Sequence, residues 1–164
     1  SGHIYHYFEN KEAIIAAIVA QDLESLLEMT AQFRAACNVR AALIERAAEG
    51  VVRQLDPDAA GLKLEIVAEA ARNPRVAQIV SEADIICRRE LATVIGDIRR
   101  RSGHQDSPAA IDGMVEVLAC LFEGLLQRTI RNPGLDRDKV TQRIQIAIDD
   151  LLNQPGEDAL AARP

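Results

Sequence analysis

The chain has no tryptophan, and aromatic residues amount to only two tyrosines and three phenylalanines in 164 positions. An interior must therefore be built almost wholly from aliphatic side chains. Long apolar runs are missing too: the stretch from Ala13 to Ala20 is typical of the longest, and a membrane span requires roughly 20 such residues. No spanning segment and no signal peptide is visible, so no membrane partner is expected. Cysteine is scarce. Cys37, Cys87 and Cys120 are scattered, odd in number and at neither metal-ligand nor disulfide-framework spacing. A reducing cytoplasm fits them, and Cys87 and Cys120 read as buried, inert thiols, with a thiol sensor as the alternative. Basic charge is not in surplus, with 19 Lys and Arg against 25 Asp and Glu, a net of −6. A nucleic-acid sleeve along the whole chain is thereby excluded, and any DNA contact must be local. There is no Gly-rich phosphate loop, no His-x-x-x-His or Glu-x-x-His pair, and no nucleophile beside a base; His104 stands alone between polar neighbours. The chain reads as a non-enzyme with no metal and no cofactor.

What is present favours helix: Ala, Leu, Ile, Glu and Arg dominate, and the fold class read from them is all-α. Asn10 is placed to cap a helix from Lys11 to about Ala36, whose apolar residues Ile14, Ile15, Ile18, Leu23, Leu26, Leu27 and Phe33 keep helical spacing. Asn38 caps a second helix to about Leu55, and Asp56-Pro57-Asp58 marks a turn. A third runs from about Ala59 to Arg72. Asn73-Pro74 begins a fourth, to about Arg101. Ser107-Pro108 begins a fifth, to about Ile130, and a sixth spans about Asp136 to Leu152. From Gln154 onward a Pro-, Gly- and Ala-rich tail has little to pack. Arg99-Arg100-Arg101, the strongest basic run, is expected to complement the carbonyl end of its helix and stay solvated.

The richest segment is the first. Two tyrosines, one phenylalanine and two of the three histidines fall within the first twelve residues. Tyr5-His6-Tyr7-Phe8-x-x-Lys11-Glu12 resembles the end of the helix-turn-helix of TetR-type (TetR/AcrR-like) regulators. The order of helices that follows is also similar, including Ala70-Ala71-Arg72-Asn73-Pro74 at a helix junction. The resemblance implies a remnant of the DNA-reading helix over 1–10, an effector-binding and dimerising body over 11–153, a flexible tail over 154–164, and roughly two further helices upstream of Ser1. It implies that Gly2, His3, Tyr5 and His6 reach base edges or sugar while Tyr7 and Lys11 grip phosphate. The family usually carries a small hydroxyl residue where His3 stands. The implied partners are operator DNA, a small-molecule effector and a second copy of the chain. The implied role is that of a repressor released from a palindromic operator by its effector. The competing reading is a helical ligand carrier or interaction protein in which the aromatic N-terminus is only a packing device.

In the body, Glu65, Glu69, Asp84 and Cys87 are polar groups set among apolar neighbours on middle helices, as in small-molecule sites, and Met29 and Phe33 stand one turn apart on the first helix. A cavity enclosed by the first, third and fourth helices and bounded by the fifth is expected. The alternative for the carboxylates is pairing with Arg72, Arg75 or Arg88. The fifth helix is apolar on more than one side, which points to a dimer seam of Met114, Leu118, Leu121, Phe122 and Leu125 with Ile144, Ile148 and Leu151 of the sixth.

Overall fold

Every helix begins behind a residue able to start one. The computed structural model describes residues 10–156. In it α1 (Lys11–Ala35), α2 (Val39–Gln54), α3 (Pro57–Ala70), α4 (Pro74–Arg101), α5 (Pro108–Arg131) and α6 (Arg137–Leu152) follow in order. Among the described residues there is no strand. Asn10, Asn38, Asp56, Asn73, Ser107 and Asp136 each turn a side-chain oxygen onto a first-turn N–H. A cap of this kind satisfies a donor that has no partner within the helix and contributes about 1 kcal/mol. Proline opens α3, α4 and α5, where its missing N–H has no helical acceptor to lose. α3 differs from expectation by starting at Pro57 and ending at Ala70. Asp56 is its cap and Pro57 its first residue, so the Asp-Pro-Asp sequence is a helix start as well as a break.

α1 lies chiefly along α4, α2 along α6, and α3 across α4 and α5. The main core gathers Leu43, Ala47 and Val51 of α2, Val94, Ile95 and Ile98 of α4, Val115 and Leu118 of α5, and Ile148 and Leu152 of α6. A second, smaller cluster joins Ile15 of α1, Ile66 of α3 and Val76 of α4.

The α5–α6 surface differs from expectation. Six of the residues assigned to a dimer seam, Met114, Leu118, Leu125, Ile144, Ile148 and Leu151, are at most 8% exposed within a single protomer. Leu121 and Phe122 are half-buried against the same core. α5 is flanked by α2, α3, α4 and α6, so its apolar sides are already covered by its own chain. Among the residues α5 leaves in solvent, Gly113, Val117, Cys120 and Gly124 form a narrower line of small or apolar side chains; Ile130 is exposed apart from it, and Ile146 is exposed on α6. The spacing of 4, 3 and 4 along α5 keeps that line on one face.

Arg99 also departs from expectation, for it is buried rather than solvated. Its guanidinium is 1% exposed and forks onto Asp106, Nε to Oδ2 at 2.7 Å and Nη2 to Oδ1 at 2.8 Å. Nη1 donates to the carbonyls of Leu152 and Gln154, at the end of α6. The carbonyl end that Arg99 complements is therefore that of α6. α4 closes its own end through the backbone: the Gly103 N–H donates to Arg100 O at 3.1 Å and the His104 N–H to Arg99 O at 3.0 Å. Gly103, at φ +86°, supplies the left-handed residue this closure requires. The turn carries Asp106 back over Arg99. Of the expected flexible tail, Gln154 is held by Arg99, and 157–164 lie outside the described residues.

Candidate effector cavity

The two apolar clusters do not meet, and between them lies a cavity of about 390 Å³. That is within the roughly 300–1,000 Å³ of small-molecule sites. α1 contributes Val19, Leu23, Leu26, Met29 and Phe33; α4 contributes Val80, Asp84, Cys87 and Leu91 from the facing side. α5 closes one end with Leu118 and Phe122, and α6 adds Ile148.

Of the residues named from sequence, Met29, Phe33, Asp84 and Cys87 line this cavity. Glu65 and Glu69 do not: Glu65 faces solvent on α3, and Glu69 is engaged at the junction of α1, α3 and α4. The wall expected from α3 is supplied by α2, through Leu43, Ala47 and Gly50, and α3 contributes only Lys63. Leu118, Phe122 and Ile148, expected at a dimer seam, line the cavity.

Gly50 is the wall residue that sequence reasoning overlooked. A Cβ there would stand 2.8 Å from Cε1 of Phe122, so the glycine lets the ring lie against the backbone of α2. Alanine in a helix interior is favoured over glycine by about 1 kcal/mol, which offsets part of the cost of moving the ring. Gly50→Leu is therefore expected to leave the protein folded while driving its own side chain or the Phe122 ring into the cavity. Calorimetric titration with a cavity ligand should show at least a tenfold loss of affinity, with thermal melts close to wild type. Undiminished binding would mean that ligands do not occupy this space.

Charged groups stand at both ends. At the α4–α5 end, Asp84 Oδ2 accepts from Arg88 Nε at 2.7 Å. Burial pushes the Glu123 carboxyl up, and Asp84 and Glu116 push it further. Burial, then Asp84, also raises the Cys87 thiol, which keeps it protonated and a poor nucleophile at neutral pH. Cys37 and Cys120 are exposed, the latter contrary to expectation. The first follows the end of α1, and the second sits on the outward line of α5. Away from the α4–α5 end stand Arg46, Arg53 and Lys63, while Asp22, also in the wall, adds to the rise of the Cys87 thiol.

Glu69 holds the start of α1. Lys11 Nζ donates to its Oε2 at 3.0 Å, Arg72 Nη2 to the same oxygen at 2.6 Å, and Asn73 Nδ2 to Oε1 at 3.4 Å. Asn73 Nδ2 also reaches Glu12 at 3.1 Å. The hydrogen bonds from Lys11, Arg72 and Asn73 bring the Glu69 carboxyl down to about 2. Because its folded pKa lies below the ordinary 4.5, its contribution is fully present above that value and is lost only as pH falls toward about 2. Gly2, His3, Tyr5, His6 and Tyr7 lie outside the described residues; Lys11, the first residue of α1, is exposed. Among the described residues no group of three or more His, Cys, Asp or Glu is arranged to hold a metal, and no helix is long and apolar enough to cross a membrane.

The all-helical fold is that of the C-terminal domain of a TetR-type transcription regulator. The chain belongs to the family of BetI-type transcriptional repressor C-terminal domains, whose family model matches residues 42–153. No curated protein and no solved structure matches it.

Proposed function

We propose that this chain is the effector-responsive, dimerising part of a DNA-binding repressor, and that a small molecule in the cavity releases the protein from a palindromic operator. The observation that carries this reading is the placement of the cavity under α1. One helix thus roofs the ligand space and, at Lys11, adjoins the segment that resembles a recognition helix. The Lys11–Glu69 and Glu12–Asn73 contacts tie its first turn to the α3–α4 junction, so that turn moves only with α3 and α4 or by breaking them. A ligand that fits better with α1 tilted biases the protein toward that arrangement. In a dimer a small tilt changes the separation of two reading helices, and half-sites on one face of B-DNA lie roughly 34 Å apart or a multiple of it. The dimer surface we assign to the outward line of α5, Gly113, Val117, Cys120 and Gly124, with Ile146 of α6.

The test is binding of the full-length protein to a randomised operator pool, with thermal melts of each variant alongside. Lys11→Ala, which also removes the Lys11–Glu69 ion pair, should weaken binding to all sequences alike and make the salt dependence shallower by about one unit, the latter being the mark of one lost phosphate contact. His6→Ala or Tyr5→Ala should instead change sequence preference, at about 1–3 kcal/mol. A protein that ignores DNA at low salt without any effector would be a helical carrier, not a regulator.

A further inference from the structure

The two ends of the cavity differ in how well their charges are already satisfied. Arg46 and Arg53 stand two turns apart on α2 and Lys63 projects from α3; all three border both the cavity and a shallower basin outside it. They therefore form the rim through which the cavity opens between α1, α2 and α3. Their present partners are weak. Arg46 reaches Glu49 at 3.4 Å, and Lys63 reaches Asp22 at 3.4 Å and Gln54 at 3.3 Å. Among the described residues Arg53 makes no side-chain hydrogen bond or ion pair. One carboxylate, Asp22, shares the rim, while Glu28 and Glu49 border the outer basin alone. At the other end Asp84 already holds Arg88 at 2.7 Å, and burial favours the neutral form of Glu123. Between the ends the walls are aliphatic, with Phe33 and Phe122.

We propose that the ligand of this cavity is an amphipathic anion, an apolar chain or ring system bearing a carboxylate, with its head held by Arg46, Arg53 and Lys63 at the rim and its body lying inward against Leu26, Phe33 and Leu118. Guanidinium groups suit this task because they offer planar, paired donors to a carboxylate and stay charged. A cationic ligand would find Asp22 already beside Lys63 and Asp84 already beside Arg88, whereas an anion finds Arg53 without a partner among the described residues. The cavity is the one proposed above as the effector site, and only the statement that this ligand is the effector rests on that reading.

The test compares three probes with the same tail, decanoate, decanol and decyltrimethylammonium, by calorimetric titration of the complete chain. Decanoate is expected to bind roughly tenfold or more tighter than the other two, the size of a few charge-assisted hydrogen bonds at a solvated rim. In Arg46→Gln/Arg53→Gln the decanoate affinity should fall most of the way to that of decanol, with Lys63 retaining the remainder, while decanol binding, which reports an intact cavity, stays unchanged. Equal affinities for the three probes, a preference for the ammonium, or no binding by any of them would overturn the proposal. Operator release is measured separately. If decanoate binds with the expected preference but leaves DNA affinity untouched, the ligand class stands and the effector role falls.

Discussion

Asp106→Ala is expected to remove about 3–5 kcal/mol of stability, the usual consequence of leaving a buried charge without its partner. Arg99 and Asp106 are 1% and 2% exposed at their side chains, so water cannot replace the lost carboxylate. For a domain of this size such a loss lowers the melting temperature by about 6–20 °C. The pair also fastens distant parts of the chain, since Arg99 joins the end of α4, the loop before α5 and the last carbonyls of α6. Replacing both partners by apolar residues, as in Arg99→Met/Asp106→Leu, should recover only part of the loss. The double substitution removes the stranded charge but leaves the Leu152 and Gln154 carbonyls without their donor. Denaturant titration of the three proteins measures these differences. A loss below about 1 kcal/mol for Asp106→Ala would show that the loop relaxes and lets water reach Arg99. The pH dependence follows from the same geometry. Arg99 holds the Asp106 carboxyl below its ordinary 3.8, so its stabilisation is fully present above that value and is lost as pH falls below it.

Val117→Glu is expected to convert the protein from dimer to monomer at micromolar concentration without unfolding it. Val117 is 47% exposed in the isolated protomer, so glutamate there is readily solvated when the chain stands alone. At a two-fold interface the same surface meets its own copy, and two carboxylates near the axis would be desolvated against one another. Sedimentation equilibrium should show the monomer, and thermal melts at low concentration should change little. Leu118→Glu makes a useful contrast, because Leu118 is 5% exposed and a charge there should unfold the protomer. Cys120 offers a second readout: alkylation should be slow in the dimer and fast in Val117→Glu, with exposed Cys37 as the internal standard. A wild-type chain that sediments as a monomer, or a Val117→Glu chain that remains dimeric, would remove α5 from the interface.

How much of the protein could be read in advance depended on whether the cause was local. Asn10, Asn38, Asn73 and Ser107 announce helix starts because a cap acts within three residues of itself, and each caps a helix in the structure. Pro74 and Pro108 point to the same starts for a similar reason. The misplaced start of α3 shows the limit. Asp56-Pro57 serves equally as a turn and as a cap with its first residue; in the structure it is the second, on a helix that buries Ala60 and Ile66. Family membership was legible for a different reason, since Tyr5-His6-Tyr7-Phe8 and Lys11-Glu12 form a pattern of residue types at fixed spacing.

Sequence alone therefore determined the helices, their order, the caps at Asn10, Asn38, Asn73 and Ser107, and the class of regulator to which the chain belongs, because these rest on residue pattern and on contacts between near neighbours. Tertiary structure decided which apolar face goes where. Helical spacing tells that α5 must bury more than one side, but a Leu118 facing its own α2 and a Leu118 facing a second protomer have the same spacing. The choice depends on the positions of α2, α3, α4 and α6 around it. The same holds for charge: Arg99 and Arg100 are adjacent in a basic run, yet one is enclosed with Asp106 and the other is exposed. The cavity, too, exists only in three dimensions. It is the space left where the Ile15–Ile66–Val76 cluster and the main core fail to meet, and a gap between two cores has no residue of its own to mark it in the sequence.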